Sequence, residues 1–204
     1  MMGHAVCGIL LAGGQSRRMG GGDKCLRELA GKTILQHVME RVSPQVKALA
    51  INANGDPARF DDYGLPVVSD SIEGFAGPLA GVLTGMEWAA EHVPGCELIA
   101  TFATDAPFVP TDLVPRLQAA LERSGSDIAA ASSGGRAHPV FGLWPVALRE
   151  DLRDAMIREE VRKVDVFTAR YKLVTVDWSN APLDPFYNVN HPEDFDRALE
   201  LLQP

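Results

Sequence analysis

Little in this 204-residue chain points outward to a membrane, a disulfide scaffold or a nucleic acid. Its three cysteines, Cys7, Cys25 and Cys96, are far apart and show neither metal-ligand spacing nor the even framework of a secreted miniprotein, so reduced thiols in an intracellular protein are expected. No apolar run approaches the length of a bilayer span. The first one, Val6 to Ala12, is short, ends in glycines and has its arginines after it, which is the wrong order for a secretory signal. Repeats, heptads and low-complexity tails are missing. Basic charge is in deficit: 19 Lys and Arg against 27 Asp and Glu leave a formal charge of −8, with no sign of a nucleic-acid surface. The expectation is a cytoplasmic protein with no membrane and no nucleic-acid partner.

What is present is an ordinary globular composition, 46% apolar and 23% charged, in a length that suits a single domain over 1–204. Ala5 to Ala12 is continuously apolar, as a strand buried on both faces would be. Val46 to Asn52, Pro66 to Val68 and Glu97 to Thr104 read as further strands, and Asp127 to Ala131, Val140 to Trp144 and Lys172 to Asp177 as three more. Helical spacing appears in Ile34, Leu35, Val38 and Val42 after Thr33, and in Leu79, Val82, Leu83 and Met86 after Pro78. Thr111 is the expected N-cap of a helix running to Glu122. Helical segments are expected over Val146 to Met156 and Val161 to Tyr171, and a closing helix from Pro192 carries Phe195, Leu199 and Leu202. Strands alternating with helices predict an α/β fold, a three-layer αβα Rossmann-like sandwich with a mainly parallel sheet. The short gap between Asp127 and Trp144 leaves room for one antiparallel strand.

In such sheets ligands bind at the carboxyl ends of the strands. Three features fall there: the glycine-rich loop after Ala12, Asn52 after the second strand, and Asp105 after Thr104. The loop reads LAGGQSRRMGGGDK from Leu11 to Lys24. Glycine lets backbone N–H groups approach phosphate oxygens, and Arg17, Arg18 and Lys24 add positive charge. It is not a Walker A loop, because Asp23-Lys24-Cys25 stands where Gly-Lys-Ser/Thr is needed, and its glycines lack G-x-G-x-x-G spacing. By composition alone it could also be a solvated surface loop.

The pattern L-A-G-G-x-S-x-R-M-G followed by D-K resembles the signature of the molybdenum cofactor guanylyltransferases, within the wider nucleotidyltransferase superfamily that includes sugar-nucleotide pyrophosphorylases. Gly13 is the guanylyltransferase version; related cytidylyltransferases usually carry alanine there. The resemblance spans nearly the whole chain. Gly77-Pro78-Leu79-Ala80-Gly81 matches G-P-L-A-G, His138-Pro139 matches a His-Pro before a strand, and Asn188 to Asp194 matches N-x-N-x-P-E-[DE]. Thr104-Asp105-Ala106-Pro107 stands where the family has Asp-x-Pro, usually after a cysteine; these departures flank the carboxylate without replacing it.

The resemblance implies transfer of GMP from GTP to the terminal phosphate of molybdopterin or Mo-molybdopterin, with pyrophosphate released and the dinucleotide cofactor formed. It implies Mg²⁺ held by Asp105, with Lys24 and Arg18 as catalytic cations. Leu11, Ala12, Gly13, Gly14, Lys24, Asn52, Asp70, Gly81 and Asp105 would bind nucleotide, and Asn188 and Asn190 the acceptor. Molybdenum insertion proteins and apo-molybdoenzymes are the implied protein partners. Residue chemistry agrees with these roles but leaves others open. Asp105 suits Mg²⁺, which takes one or two carboxylates plus substrate phosphates, and it equally suits a turn before Pro107. Asn52 and Asp70 could read base or ribose, or sit in turns. Asn188 and Asn190, two apart, would face one side of an extended segment. His138 reads as a structural or substrate-contact residue. The rivals are a nucleotidyltransferase using CTP or a sugar phosphate, and a non-catalytic nucleotide-binding adaptor.

Overall fold

The computed structural model describes residues 5–13, 23–72, 74 and 77–202. Strand β1 (Ala5–Leu11) opens the chain, and a short hairpin of β2 (Glu28–Leu29) and β3 (Lys32–Thr33) leads into helix α1 (Ile34–Val42). Then come β4 (Ala48–Asn52), β5 (Val67–Val68), α2 (Pro78–His92), β6 (Cys96–Ala103) and α3 (Leu113–Ser124). The second half runs through β7 (Ile128–Ser133), β8 (Arg136–Pro145), α4 (Arg149–Arg158), α5 (Val164–Thr168), β9 (Leu173–Trp178) and α6 (Pro192–Leu202).

Among the described residues the main sheet has seven strands in the order β5-β4-β1-β6-β8-β7-β9. All neighbours are parallel except those of β8, which runs antiparallel to both β6 and β7. The α/β sandwich with one antiparallel strand is therefore as expected. Its cause is legible in β1, where successive side chains serve opposite faces. Val6 and Leu10 pack with Leu35, Val38, Leu113 and Leu117 of α1 and α3. Cys7 and Ile9 pack with Leu83, Met86, Leu152 and Phe167 of α2, α4 and α5. A third, smaller core joins Leu29, Ile34, Phe108, Val189 and Ala198, so the closing helix seats beside the β2–β3 hairpin.

Several local expectations need correction. Asp112, not Thr111, occupies the N-cap position of α3. The helix expected over Val161 to Tyr171 shrinks to α5, because the chain from Val161 to Lys163 is not helical and Glu160 takes a left-handed φ of 55°. β8 begins four residues earlier than Val140, forming a hairpin with β7 whose register slips at Ala130/Ala131. Cys7 and Cys96 lie side by side across the paired strands β1 and β6, with Cα atoms 6.5 Å apart. A separation of 89 residues gives no hint of that adjacency, and Cys25 is buried elsewhere. Thr33, after which the helical spacing begins, caps α1 in a reciprocal capping box with Gln36. Among the described residues no helix is long and apolar enough to cross a membrane.

Gly85 shows how closely α2 lies on the sheet: a Cβ there would sit 2.5 Å from Ile9 Cγ1. Ile9 is fully buried in the middle of the sheet and has nowhere to move. In a helix interior, Gly→Ala ordinarily gains about 1 kcal/mol, but overpacking a tight core costs about 1–3 kcal/mol. Gly85→Ala should therefore be destabilising on balance. Urea denaturation checks this, and a variant more stable than the parent would show that α2 can lift off β1 freely.

Candidate functional site

The expected site residues gather at one end of three adjacent strands. Strand register sets this: Leu11 stands opposite Asn52 on one side and Ala103 on the other. Beyond Leu11 the strands are still tied together. Ala12 N–H donates to Asn52 O at 2.9 Å, and the Thr104 hydroxyl donates to Leu11 O at 3.1 Å. Thr104, the departure from the family's usual cysteine, thus fastens the end of β6 to the end of β1. These bonds already occupy the Ala12 N–H and one lone pair of Leu11 O. Gly13 is exposed, and a Cβ built on it would meet nothing within 4 Å. Gly14 and Arg18 lie outside the described residues.

Two polar clusters flank these strand ends. In the first, Lys24 Nζ donates to Asp105 Oδ2 at 2.9 Å and also to Asn190 Oδ1. Both members of the ion pair are shielded, with side chains 13% and 27% exposed. Asn188, its amide nitrogen turned toward the carboxylate, donates to Asp105 Oδ1 at 3.3 Å and to Phe186 O at 3.2 Å. The main chain joins in, because Val189 N–H donates to Asp105 O at 2.9 Å. Val189 is fully buried while Asn188 and Asn190 are exposed, so the two amides do share a side and both reach the Lys24–Asp105 pair. Next to Lys24, burial and then the charge of Asp23 push the Cys25 thiol up to about 12, which leaves it protonated and unreactive.

The second cluster joins Asn52 to Asp70. Asn52 Nδ2 donates to Asp70 Oδ1 at 2.9 Å and to Val68 O at 3.2 Å. Asn54 donates to the other carboxylate oxygen at 2.7 Å, and its own Oδ1 accepts Asp70 N–H at 2.9 Å. Asn54 was not anticipated; its only signal was its place two residues beyond Asn52, on the same strand end. Gly81 belongs here by necessity. A Cβ on it would strike the Asn52 amide and come within 2.5 Å of Leu11 Cδ2, so only glycine lets the first turn of α2 lie on the ends of β1 and β4.

Among the described residues no three His, Cys, Asp or Glu side chains meet in a group that could hold a metal. A cation here would need oxygens from a substrate beside the one carboxylate of Asp105, and that donor set is how Mg²⁺ is usually held. Surface hollows between α3 and β9 and at the start of β6 share none of these residues.

Comparison with known proteins shows the family. The MobA-like NTP transferase domain family matches residues 8–172. A protein of Bradyrhizobium sp. (strain ORS 278) named molybdenum cofactor guanylyltransferase is 57% identical over 97% of this chain and 93% of its own. One of the same name from Mesorhizobium japonicum is 51% identical over 97% and 96%. Among solved structures, molybdopterin-guanine dinucleotide biosynthesis protein A from Archaeoglobus fulgidus superposes with a TM-score of 0.73, covering 96% of this chain and 97% of that one at 24% identity, and so shares the fold.

The segment carrying Asn188 and Asn190 is pinned by Asp194. One oxygen of Asp194 accepts the Tyr187 hydroxyl, and the other accepts the N–H groups of Asn190 and His191. Burial pushes this carboxyl up, but the hydrogen bonds from Tyr187, Asn190 and His191 outweigh it and hold it below its ordinary 3.8. A lowered folded value means stabilisation that is complete above 3.8 and lost as pH falls through the lowered value. Asp194→Asn should be less stable than the parent at neutral pH, and the gap in Tm should narrow as the pH falls below 3.8. A gap of the same size at both ends of the range would show that the carboxylate charge does not hold the segment.

Proposed function

The chain belongs to the MobA-like NTP transferase family, and from that premise we propose that it transfers GMP from GTP to the terminal phosphate of molybdopterin or Mo-molybdopterin. The names of its relatives support the nucleotide and the acceptor. The observation that carries the mechanism is the meeting of Lys24, Asp105, Asn188 and Asn190 at the ends of β1 and β6.

The chemistry asks for charge control and not for a nucleophile. An acceptor phosphate oxygen, already anionic, attacks the α-phosphorus of GTP; the bond to the β-phosphate oxygen breaks and pyrophosphate leaves. No proton needs to be removed, which fits a site whose one thiol is held protonated. The difficulty is bringing two polyanions together while charge builds on the leaving group, so catalysis is positioning and electrostatic stabilisation. Lys24 offsets charge on the leaving phosphates. Asp105 would hold Mg²⁺, which would supply positive charge at the phosphate oxygens of the bound nucleotide. Gly13 admits the phosphates close to the backbone, with Gly14 and Arg18 as further contacts from the loop. Asn188 and Asn190 orient the acceptor phosphate beside the metal-binding carboxylate.

Asp70 is our choice for the residue that reads the base. Guanine presents two neighbouring N–H donors, from N1 and the exocyclic N2, and a carboxylate accepts both. Asn52 and Asn54 each approach one Asp70 oxygen and fix the plane of the carboxylate, while each oxygen keeps a lone pair to offer. Cytosine lacks this pair of donors. Pyrophosphate release should therefore be selective for GTP over CTP in the presence of Mg²⁺ and a molybdopterin source. Equal turnover with CTP would remove the guanylyl assignment and leave a general nucleotidyltransferase. GTP binding with no release at all would favour an adaptor.

Asp105→Asn separates a metal ligand from a turn residue. The amide keeps the shape and still accepts from Lys24, so the unliganded fold should stay within about 1 kcal/mol of the parent. Transfer should fall on the order of a hundredfold or more. Near-normal release with an unchanged magnesium requirement would take Asp105 out of the mechanism.

A further inference from the structure

A third polar cluster lies behind the segment that carries Asn188 and Asn190, and the mechanism above makes no use of it. Ser133 closes β7, His138 lies in the first half of β8, and Asp184 stands near the middle of the irregular arm that leads to Asn190. Ser133 Oγ is 2.7 Å from His138 Nε2 and 2.8 Å from Asp184 Oδ1. A hydroxyl has one proton, and an ionised carboxylate only accepts. Ser133 therefore donates to Asp184, and His138 Nε2–H must donate to Ser133. Burial, against the pull of Asp184 and with the charge of Arg136 in support, holds His138 below its ordinary value, so the neutral ring carries its proton on Nε2. The chain of donors runs His138 to Ser133 to Asp184. That direction excludes a serine nucleophile, because His138 has no lone pair facing Oγ, and Ser133 is only 2% exposed.

The chain does fix the arm. The same Asp184 oxygen accepts Phe186 N–H at 2.9 Å, closing an Asx turn. Phe186 then seats among His138, Phe141 and Trp178, with ring centroids 4.7, 4.9 and 5.6 Å away. Asn188 follows two residues later, and Val189 binds Asp105 through its backbone. The tip of the β7–β8 hairpin is fitted to the arm as well: a Cβ on Gly134 would come 3.0 Å from Asn180 Cγ. From Ser179 to His191 the arm has neither helix nor strand to set its register, so side chains must do it.

We propose that Ser133, His138 and Asp184 are positioning residues for the acceptor: they hold the arm so that Asn188 and Asn190 meet an anionic phosphate monoester beside Asp105. This rests on the reading of Asn188 and Asn190 as the acceptor site. The Asn52, Asn54 and Asp70 group makes its hydrogen bonds among its own members and with Val68, away from the arm, whereas Lys24 and Asp105 are shared with it. Loss of the relay therefore acts on the acceptor more than on the nucleotide.

The test is steady-state kinetics on the full chain with Ser133→Ala, Asp184→Ala and Asp184→Asn, varying acceptor at saturating GTP and GTP at saturating acceptor. Ser133→Ala and Asp184→Ala should raise the acceptor KM on the order of tenfold, the weight of one well-placed hydrogen bond, with the GTP KM changed far less. Asp184→Asn keeps an acceptor oxygen for Ser133 and Phe186 and should restore the acceptor KM. Ser133→Ala removes a single oxygen and carries the test if Asp184→Ala fails to fold. The double variant Asn188→Ala/Asn190→Ala is run alongside. A normal acceptor KM in that variant sinks the acceptor site and the relay with it. A raised KM there with a normal one in Ser133→Ala sinks the relay alone. A GTP KM that rises in step with the acceptor KM, or no rescue by Asp184→Asn, overturns the proposal as a general loss of structure.

Discussion

Everything at this site depends on the register of three parallel strands. Leu11 sits level with Asn52 and Ala103, so β1, β4 and β6 end together and release their chains into loops at one height. Parallel strands buried on both faces can hold such a register because a slip of one residue would exchange the two faces. Cys7 and Ile9 would then trade places with Val6 and Leu10, and both cores would have to repack around side chains of different size. The hydrophobic demand of the sheet interior thus sets the height of Asn52 and Asp105 with no contribution from the site itself. Thr104 and Ala12 add the last cross-strand bonds where the sheet pairing stops.

On that platform polar groups are arranged in two compartments. Lys24 and Asp105 face each other where a cation and phosphates would be handled, and Asn52, Asn54 and Asp70 form a separate hydrogen-bonded group. The separation matters for a protein with a formal charge of −8. Two polyanionic substrates approach a chain that repels them overall, so local charge and oriented amides must do the work that net charge opposes. Gly81 couples the compartments to the helix layer: its missing side chain lets α2 rest on Leu11 and Asn52, and any added atom would press on the amide that holds Asp70.

The C-terminal arm brings the rest. Its contact with Asp105 is made by side chain and main chain together, and it is stabilised from two directions. Asp194 gathers Tyr187, Asn190 and His191 from one end, while Ser133 and His138 receive Asp184 at the other. Between them Phe186 is buried among aromatic rings and Val189 in the small third core. A segment without regular structure gains a defined path only when its backbone groups and anchors are satisfied this way.

Periodicity and composition alone determined the layered α/β fold, the one antiparallel strand and the clustering of Asn52 and Asp105 at strand ends, because burial on two faces leaves a continuous apolar run that local reading detects. The motifs named the family, and with it Lys24, Asn188 and Asn190 as residues to watch. What local reading could not reach were relations between distant parts of the chain. The Cys7–Cys96 contact spans 89 residues, the Lys24–Asn190 contact 166, and the Ser133–Asp184 contact 51. Asn54 drew no notice until Asp70 lay against it, and His138 had no partner until the hairpin register and the arm brought Ser133 and Asp184 to it. Secondary structure follows from neighbours along the chain. Which polar groups meet depends on strand order, register and the path of an irregular arm, and only the folded packing of the whole chain decides those.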